Sequence, residues 1–214
     1  MDMILLIGAP GSGKGTLAQH LARLCPSMRH MSSGDLLREA VALGTPAGKK
    51  AGALMKRGEL VPDNLISVMV RDFFKKADPS ACYLLDGFPR THAQALQLDE
   101  ILADCDVTLR AAVLLDVPES IILDRITGRR VCPACNIIYH IKTRPPKVEG
   151  VCDACGDALV QRPDDRPATV LRRLAIYRET TAGLITFYSS RNLLVPLDAN
   201  AEPGDLAEKF LSKI

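Results

Sequence analysis

Two groups of residues in this chain have the types and spacing for chemistry. The first is GAPGSGKGT, running from Gly8 to Thr16. Closely spaced glycines let successive backbone N–H groups converge on a phosphate, and Lys14 adds a mobile positive charge for its oxygens. The common phosphate-loop pattern, G-x-x-x-x-G-K-[ST], sets a hydroxyl directly after the lysine to hold Mg²⁺. Here Gly15 takes that position and the hydroxyl arrives at Thr16. A carboxylate elsewhere must therefore place the metal, through water, because Mg²⁺ sheds its hydration reluctantly. Asp86 closes the apolar run CYLLD and is the candidate, since ligands bind at the carboxyl ends of parallel strands.

The second group is Cys132, Cys135, Cys152 and Cys155, spaced C-x2-C-x16-C-x2-C. Two residues between cysteines let both sulfurs of a knuckle face one ion, and two knuckles close a tetrahedron. Four sulfur ligands leave no open coordination position, so the expected ion is a structural Zn²⁺. Its binding, worth on the order of 10 kcal/mol, can hold together a flap too small for a core of its own. Two redox-active C-x-x-C pairs are the competing reading. Cys25, Cys82 and Cys105 stand alone in apolar or helical settings and are read as packing residues.

The chain has 214 residues, of which 47% are hydrophobic and 24% charged, with a net charge of +2. This composition fits a folded protein with one substantial core and room for small insertions. The charge is too small for bulk attraction to nucleic acid. The opening apolar run, Ile4 to Ile7, follows an acid and is too short for a signal peptide. No stretch approaches the roughly 18 apolar residues of a membrane span. The expectation is a cytoplasmic monomer with no nucleic-acid or membrane partner, whose reduced cysteines disfavour disulfides.

Chemistry of this kind needs a scaffold, and the apolar pattern supplies one. MILLI (Met3 to Ile7), CYLLD (Cys82 to Asp86), AAVLLD (Ala111 to Asp116) and LLVPL (Leu193 to Leu197) read as buried strands. Their unbroken hydrophobicity suits a parallel sheet covered on both faces. Between them lie helical patterns; in DNLISVMVRDFFKK, Leu65, Ile66, Met69, Val70 and Phe73 recur at helical spacing. The predicted fold class is α/β, a three-layer phosphate-loop NTPase-like fold around a central parallel sheet. Its core comprises residues 1–31, 62–127 and 166–214. Two insertions interrupt it. Residues 32–61 are helical pieces without a clear strand, and residues 128–165 hold the four cysteines with almost no helical periodicity.

In order along the chain, GAPGSGKGT, MSSGDLLR, LLDGFPRT, DRITGRR and RPDDRPATVLRRL closely resemble the adenylate kinase family, of the long type with a metal-bearing lid. The resemblance covers essentially the whole chain, and the family carries the same Gly-Thr after the loop lysine. It implies reversible, Mg²⁺-dependent phosphoryl transfer from ATP to AMP, giving two ADP and serving adenine nucleotide balance. It also implies an AMP-binding subdomain at 32–61 and a zinc-bearing lid at 128–165. Carried over by position, Gly11, Ser12, Gly13, Lys14, Gly15 and Thr16 would cradle the ATP phosphates. Ile138 and Tyr139 would approach the ATP nucleoside, with Arg125 stacked on its adenine. Ser33 and Arg38 would contact AMP, and Glu59, Leu60 and Val61 would line its pocket. Gly87, Phe88, Pro89 and Arg90 would complete that pocket, with Arg90 on the phosphate and Gln94 on the adenine edge. Arg129 and Arg173 would span the transferring phosphate, and Arg162 would arrive from the lid. Asp164 and Asp165 would orient Mg²⁺-bound water or close lid contacts. Ser33 stands where many members have Thr, which keeps the hydroxyl. DANAEP, Asp198 to Pro203, replaces the common Asp-Gly-x-x-Pro, so the adenine contact made there in the family is not carried over.

Phosphoryl transfer asks for alignment and for compensation of charge spread over the phosphate oxygens. Arginine suits this better than lysine because its planar fork binds oxygens in pairs. Arg90, Arg129, Arg162 and Arg173 come from four separate segments. Arg130, Arg166 and Arg172 read as surface or lid charges, and His20, His30 and His92 as surface or capping residues. Met28 and Met31 read as local packing and His140 as a neighbour of the nucleoside. A GTP:AMP or UMP/CMP kinase on the same fold is the nearest alternative, although Gln94 favours adenine. A zinc-ribbon nucleic-acid-binding ATPase is the alternative from another class, and the small net charge opposes it.

Overall fold

The N-terminal apolar run forms β1 (Asp2–Ile7) and is buried on both faces. Met3, Leu5 and Ile7 enter one core cluster, Ile4 and Leu6 a second, as side-chain alternation along a strand requires. The computed structural model describes the backbone of residues 1–214 and every side chain except that of Ala182. After β1 come α1 (Lys14–Leu24), β2 (Met28–Ser32), α2 (Ser33–Ala42), α3 (Pro46–Arg57), α4 (Asp63–Phe74) and β3 (Cys82–Asp86). Next are α5 (His92–Asp104), β4 (Thr108–Asp116) and α6 (Glu119–Thr127). The lid hairpin pairs β5 (Arg129–Val131) with β6 (Ile138–His140). The chain closes with α7 (Pro167–Thr180), α8 (Ala182–Ser189), β7 (Leu194–Asp198) and α9 (Pro203–Leu211).

The main sheet has the order β2-β3-β1-β4-β7, with every pairing parallel. Buried residues of α4, α5 and α8 cover one face, and those of α1, α6, α7 and α9 cover the other. This is the three-layer α/β arrangement expected from the alternating apolar runs. All four predicted strands are present, with β4 starting at Thr108 instead of Ala111. β2 was not foreseen: MRHMS offers no apolar run, because an edge strand paired only with β3 needs few apolar side chains. Met31 packs as expected, but in the main core through this strand. In α4 the fully buried stripe is Ile66, Val70 and Phe74, with Leu65, Met69 and Phe73 packed at its margin.

The two insertions differ in build. In 32–61, the Ser32 hydroxyl accepts the Asp35 N–H at 3.2 Å and the Thr45 hydroxyl accepts the Gly48 N–H at 3.0 Å, capping α2 and α3. Gly48 lets α3 press on α2; a Cβ there would lie 2.0 Å from the Ala40 carbonyl oxygen. Leu37, Ala51 and Val61 join the main core cluster. The lid's own apolar cluster is small: Cys132, Tyr139 and Cys152, with Ile137 and Leu159 packed against them.

Candidate active site

β1 delivers the glycine-rich loop to the mouth of α1, whose first turn has no side-chain cap. Its leading N–H groups therefore stay open to an anion. Lys14 folds back over the loop: Nζ donates to the carbonyls of Gly8 (2.9 Å) and Ala9 (3.0 Å) and to Ser12 Oγ (3.3 Å). Asp86 ends β3 in register with Leu6 of β1, which brings its Oδ1 to 4.0 Å from Lys14 Nζ. Burial pulls the Lys14 ammonium down to about 8, and Arg90, Arg173 and Arg129 add to the fall while Asp86 resists it. Asp86 is held at about 2, because Lys14, His30 and Arg90 outweigh a burial that would raise it. His30 is not a surface residue: β2 places its Nε2 3.6 Å from Asp86 Oδ2, inside the cleft. Its position depended on the strand that the sequence hid.

The arginines stand around the loop on carboxylate supports. Arg129 grips Asp165 through two nitrogens, and Asp165 is fully buried. Arg173 Nη1 sits 2.9 Å from Asp164 Oδ2 and 3.8 Å from Asp165 Oδ1. Arg162 reaches Asp35 Oδ1 at 3.3 Å, and Arg38 binds the same oxygen at 2.6 Å. Asp164 and Asp165 thus orient arginines. Burial, reinforced by neighbouring arginines, lowers Arg162 and Arg173 to about 10. Crowded cations of this kind are stabilised by an anion brought among them.

A cleft of about 740 Å³ joins these groups. Ser33, Arg38, Glu59, Leu60, Val61, Gly87, Pro89, Arg90 and Gln94 line it. Phe88, predicted with them, is absent from the lining because its ring is buried in the core cluster. The cleft is lined as well by Gly11 to Thr16, Arg125, Arg129, Ile138 and Tyr139. Arg125 donates to the Ala199 carbonyl at 3.2 and 3.3 Å, so helix α6 and the DANAEP loop meet there. The Tyr139 hydroxyl turns inward, 3.6 Å from Cys152 Sγ and accepting the Asp153 N–H at 2.9 Å. Both ring nitrogens of His140 are engaged: Nε2 lies 3.1 Å from the Asp124 carbonyl, and Nδ1 accepts the N–H groups of Lys142 and Thr143. His140 therefore pins the lid to α6, and it lines the cleft beside Ile138 and Tyr139. Arg172 is an exposed charge, as expected, and binds Glu59 at 2.6 Å. Thr143 and Arg144 also line the cleft and were missed, having no motif to mark them.

The four cysteine sulfurs lie within 4.8 Å of one another. Cys132–Cys155, Cys135–Cys152 and Cys135–Cys155 are separated by 3.3, 3.5 and 3.6 Å. A tetrahedral Zn²⁺ with sulfurs about 2.3 Å away sets them about 3.8 Å apart, so the set fits that ion. The two knuckles share one backbone pattern. Cys132 and Cys152 each accept an N–H at 2.9 Å from the residue four positions on, Asn136 and Gly156, both in left-handed conformation. The Cys152 thiol sits at about 6: desolvation opposes ionisation, but hydrogen bonds from Tyr139 and from the Ala154 and Cys155 amides prevail.

The lid lies folded over the loop. Gln19 of α1 donates to the Asn136 carbonyl at 2.8 Å, and Arg162 at the lid's end meets Asp35 of the 32–61 insertion. A parallel sheet with a phosphate loop on its first strand, two flaps and converging arginines defines the class of phosphate-loop nucleotide kinases. The adenylate kinase family model matches residues 6–193. The chain is 43% identical over 211 residues to an adenylate kinase of Kosmotoga olearia, covering 99% of this chain and 98% of the relative. It is 46% identical over 207 residues to one of Clostridium tetani (97% and 95%) and 45% over 214 residues to one of Clostridium novyi (100% and 98%). The chain belongs to the adenylate kinase family. No helix among the described residues is long and apolar enough to cross a membrane.

Proposed function

We propose that this chain transfers the γ-phosphoryl group of ATP to AMP, reversibly, giving two ADP. The observation that carries this function is the convergence of Lys14 with Arg90, Arg129, Arg162 and Arg173 on one cleft that continues to either side. Donor phosphates would settle on the open N–H groups of α1, drawing Lys14 from the Gly8 and Ala9 carbonyls. The AMP phosphate would lie between Arg38 and Arg90, its base against Gln94 and its nucleoside along Ser33 and Glu59 to Val61. Arg129, Arg162 and Arg173 would surround the group in transit, each already aimed by Asp35, Asp164 or Asp165. Little covalent help is needed from the protein; alignment and charge compensation carry the rate. Mg²⁺, arriving with ATP and held by Asp86 through water, would supply further charge compensation. The lid would exclude water, which protects against hydrolysis of the donor.

Cys132, Cys135, Cys152 and Cys155 would hold one structural Zn²⁺, and their full tetrahedron leaves catalysis to the cleft. The chain would act as a cytoplasmic monomer on small molecules. The test is ADP formation from ATP and AMP with Mg²⁺, set beside GTP as donor and UMP and CMP as acceptors, with elemental analysis of the same sample. ATP with AMP is expected to be the fastest pair, with one zinc per chain. Faster turnover with UMP or CMP would overturn the acceptor assignment, and a metal-free active sample would overturn the zinc.

A further inference from the structure

Gln94 is only 3% exposed, and its amide is gripped from both ends. The Arg90 backbone N–H donates to Oε1 at 2.7 Å, and Nε2 donates to Asp63 Oδ1 at 2.7 Å. A backbone N–H can only donate and a carboxylate can only accept. These two neighbours therefore settle which end of the amide is oxygen and which is nitrogen. Thr91 braces the arrangement: its hydroxyl accepts the Gln94 N–H at 3.1 Å and points at Asp63 Oδ2, 3.5 Å away. Asp63 is not part of the cleft lining; it stands behind Gln94.

Resting on the proposal that Gln94 meets the acceptor base, we infer that Asp63 is a positioning residue that makes the site choose 6-amino over 6-oxo purines. Adenine presents an N6–H donor beside an N1 acceptor. Hypoxanthine presents the reverse, an O6 acceptor beside an N1–H donor. An amide free to turn over would serve either base. Turned over here, Gln94 would set Oε1 against a carboxylate and Nε2 against a backbone N–H, leaving buried polar groups unpaired. A site built to hydrogen-bond one pattern rejects the other for that reason. Asp63→Asn keeps the shape but supplies an amide that can itself turn over, so the carboxylate half of the restraint disappears while the Arg90 half remains.

The experiment measures kcat/KM for AMP and for IMP, with ATP as donor, in wild type, Asp63→Asn and Gln94→Leu. The ratio of the two acceptors cancels any difference in folded fraction between preparations. Asp63→Asn is expected to narrow the AMP-over-IMP ratio by at least about tenfold, the scale of a hydrogen bond to a charged group, with KM for ATP unmoved. Gln94→Leu should also collapse the ratio. If Gln94→Leu collapses it while Asp63→Asn stays within about twofold of wild type, the role given to Asp63 is overturned and that of Gln94 survives. If Gln94→Leu leaves the ratio intact, Gln94 does not read the base and both assignments fall.

Discussion

The two flaps over the cleft reach order by different routes. The acceptor flap is a pair of capped helices whose Leu37, Ala51 and Val61 reach into the main core, so its root is part of the sheet domain. The lid contributes no residue to either large cluster. Its ties to the rest are mainly polar: His140 on the Asp124 carbonyl, Lys142 on the Asp124 carboxylate, Gln161 on the Thr127 carbonyl, Gln19 on Asn136, Arg162 on Asp35 and Asp164 on Arg173. A segment with helical periodicity can complete its packing against an existing core. A segment of short hairpins cannot, and four sulfurs holding an ion would take the place of a core. The outcome is a lid stiff inside and lightly attached, which suits a part that must open and close.

Removing the metal should separate the two flaps most sharply. An ion worth on the order of 10 kcal/mol of folding would be the lid's main support, whereas the acceptor flap would owe it nothing. Chelation, or Cys132→Ser, is expected to melt the lid first and abolish turnover while the core and acceptor flap stay folded. Hydrogen exchange would show protection lost around Cys132 and Cys152 before α2 and α3. A single cooperative transition with undiminished activity would contradict this.

Next in size is the seam where the flaps meet α7. Arg173 Cγ packs 3.0 Å from where a Gly58 Cβ would stand, and its guanidinium rests on Asp164 at the lid's base. Arg173→Ala or Arg90→Ala should lower kcat about 10³-fold, about 4 kcal/mol of transition-state stabilisation, with little change in Tm. A folded variant within about tenfold of wild type would take that residue out of the mechanism.

Gly48→Ala tests the acceptor flap alone. The new Cβ would meet the Ala40 carbonyl and, at 2.5 Å, the Val41 nitrogen, both backbone atoms that cannot swing aside. Overpacking of this kind costs about 1–3 kcal/mol and should appear as a raised KM for AMP with KM for ATP preserved. Equal changes in both would mean that the flaps do not move independently.

The smallest effect concerns the loop both flaps cover. In the free cleft Lys14 titrates at about 8, below its ordinary 10.5, and bound phosphate should restore its proton. Above pH 8 binding therefore takes up a proton, and affinity for a diadenosine polyphosphate should fall by up to about tenfold per pH unit. Below pH 8 both states hold the proton and this dependence vanishes. The free protein should move oppositely, gaining stability as pH rises from 8 to 10.5, because the unfolded chain keeps that proton longer. Calorimetry at pH 9 in buffers of different ionisation heat checks the uptake; none would contradict the shift.

Much of this was legible in the linear chain. The phosphate loop, the four cysteines and the buried strands are local patterns, fixed by neighbours a few residues apart. β2 was invisible because an edge strand of mixed polarity has no periodicity to read, and His30 was misplaced with it. Phe88 lay inside a binding motif yet serves the core. His140 lines the cleft beside Tyr139, as its place in the sequence allows, but the α6 carbonyl it binds could not be read from its neighbours.

By itself the sequence determined the loop's backbone cradle, the sulfur tetrahedron and the two-faced burial of the sheet, since spacing within a turn or a knuckle settles each. Only the tertiary structure decided that Asp165 would orient Arg129, that Asp86 would share its surroundings with His30 and Lys14, and that Asp63 would hold Gln94. These pairings join residues from different elements. A carboxylate has no partner until strand register and helix packing bring one within hydrogen-bonding reach.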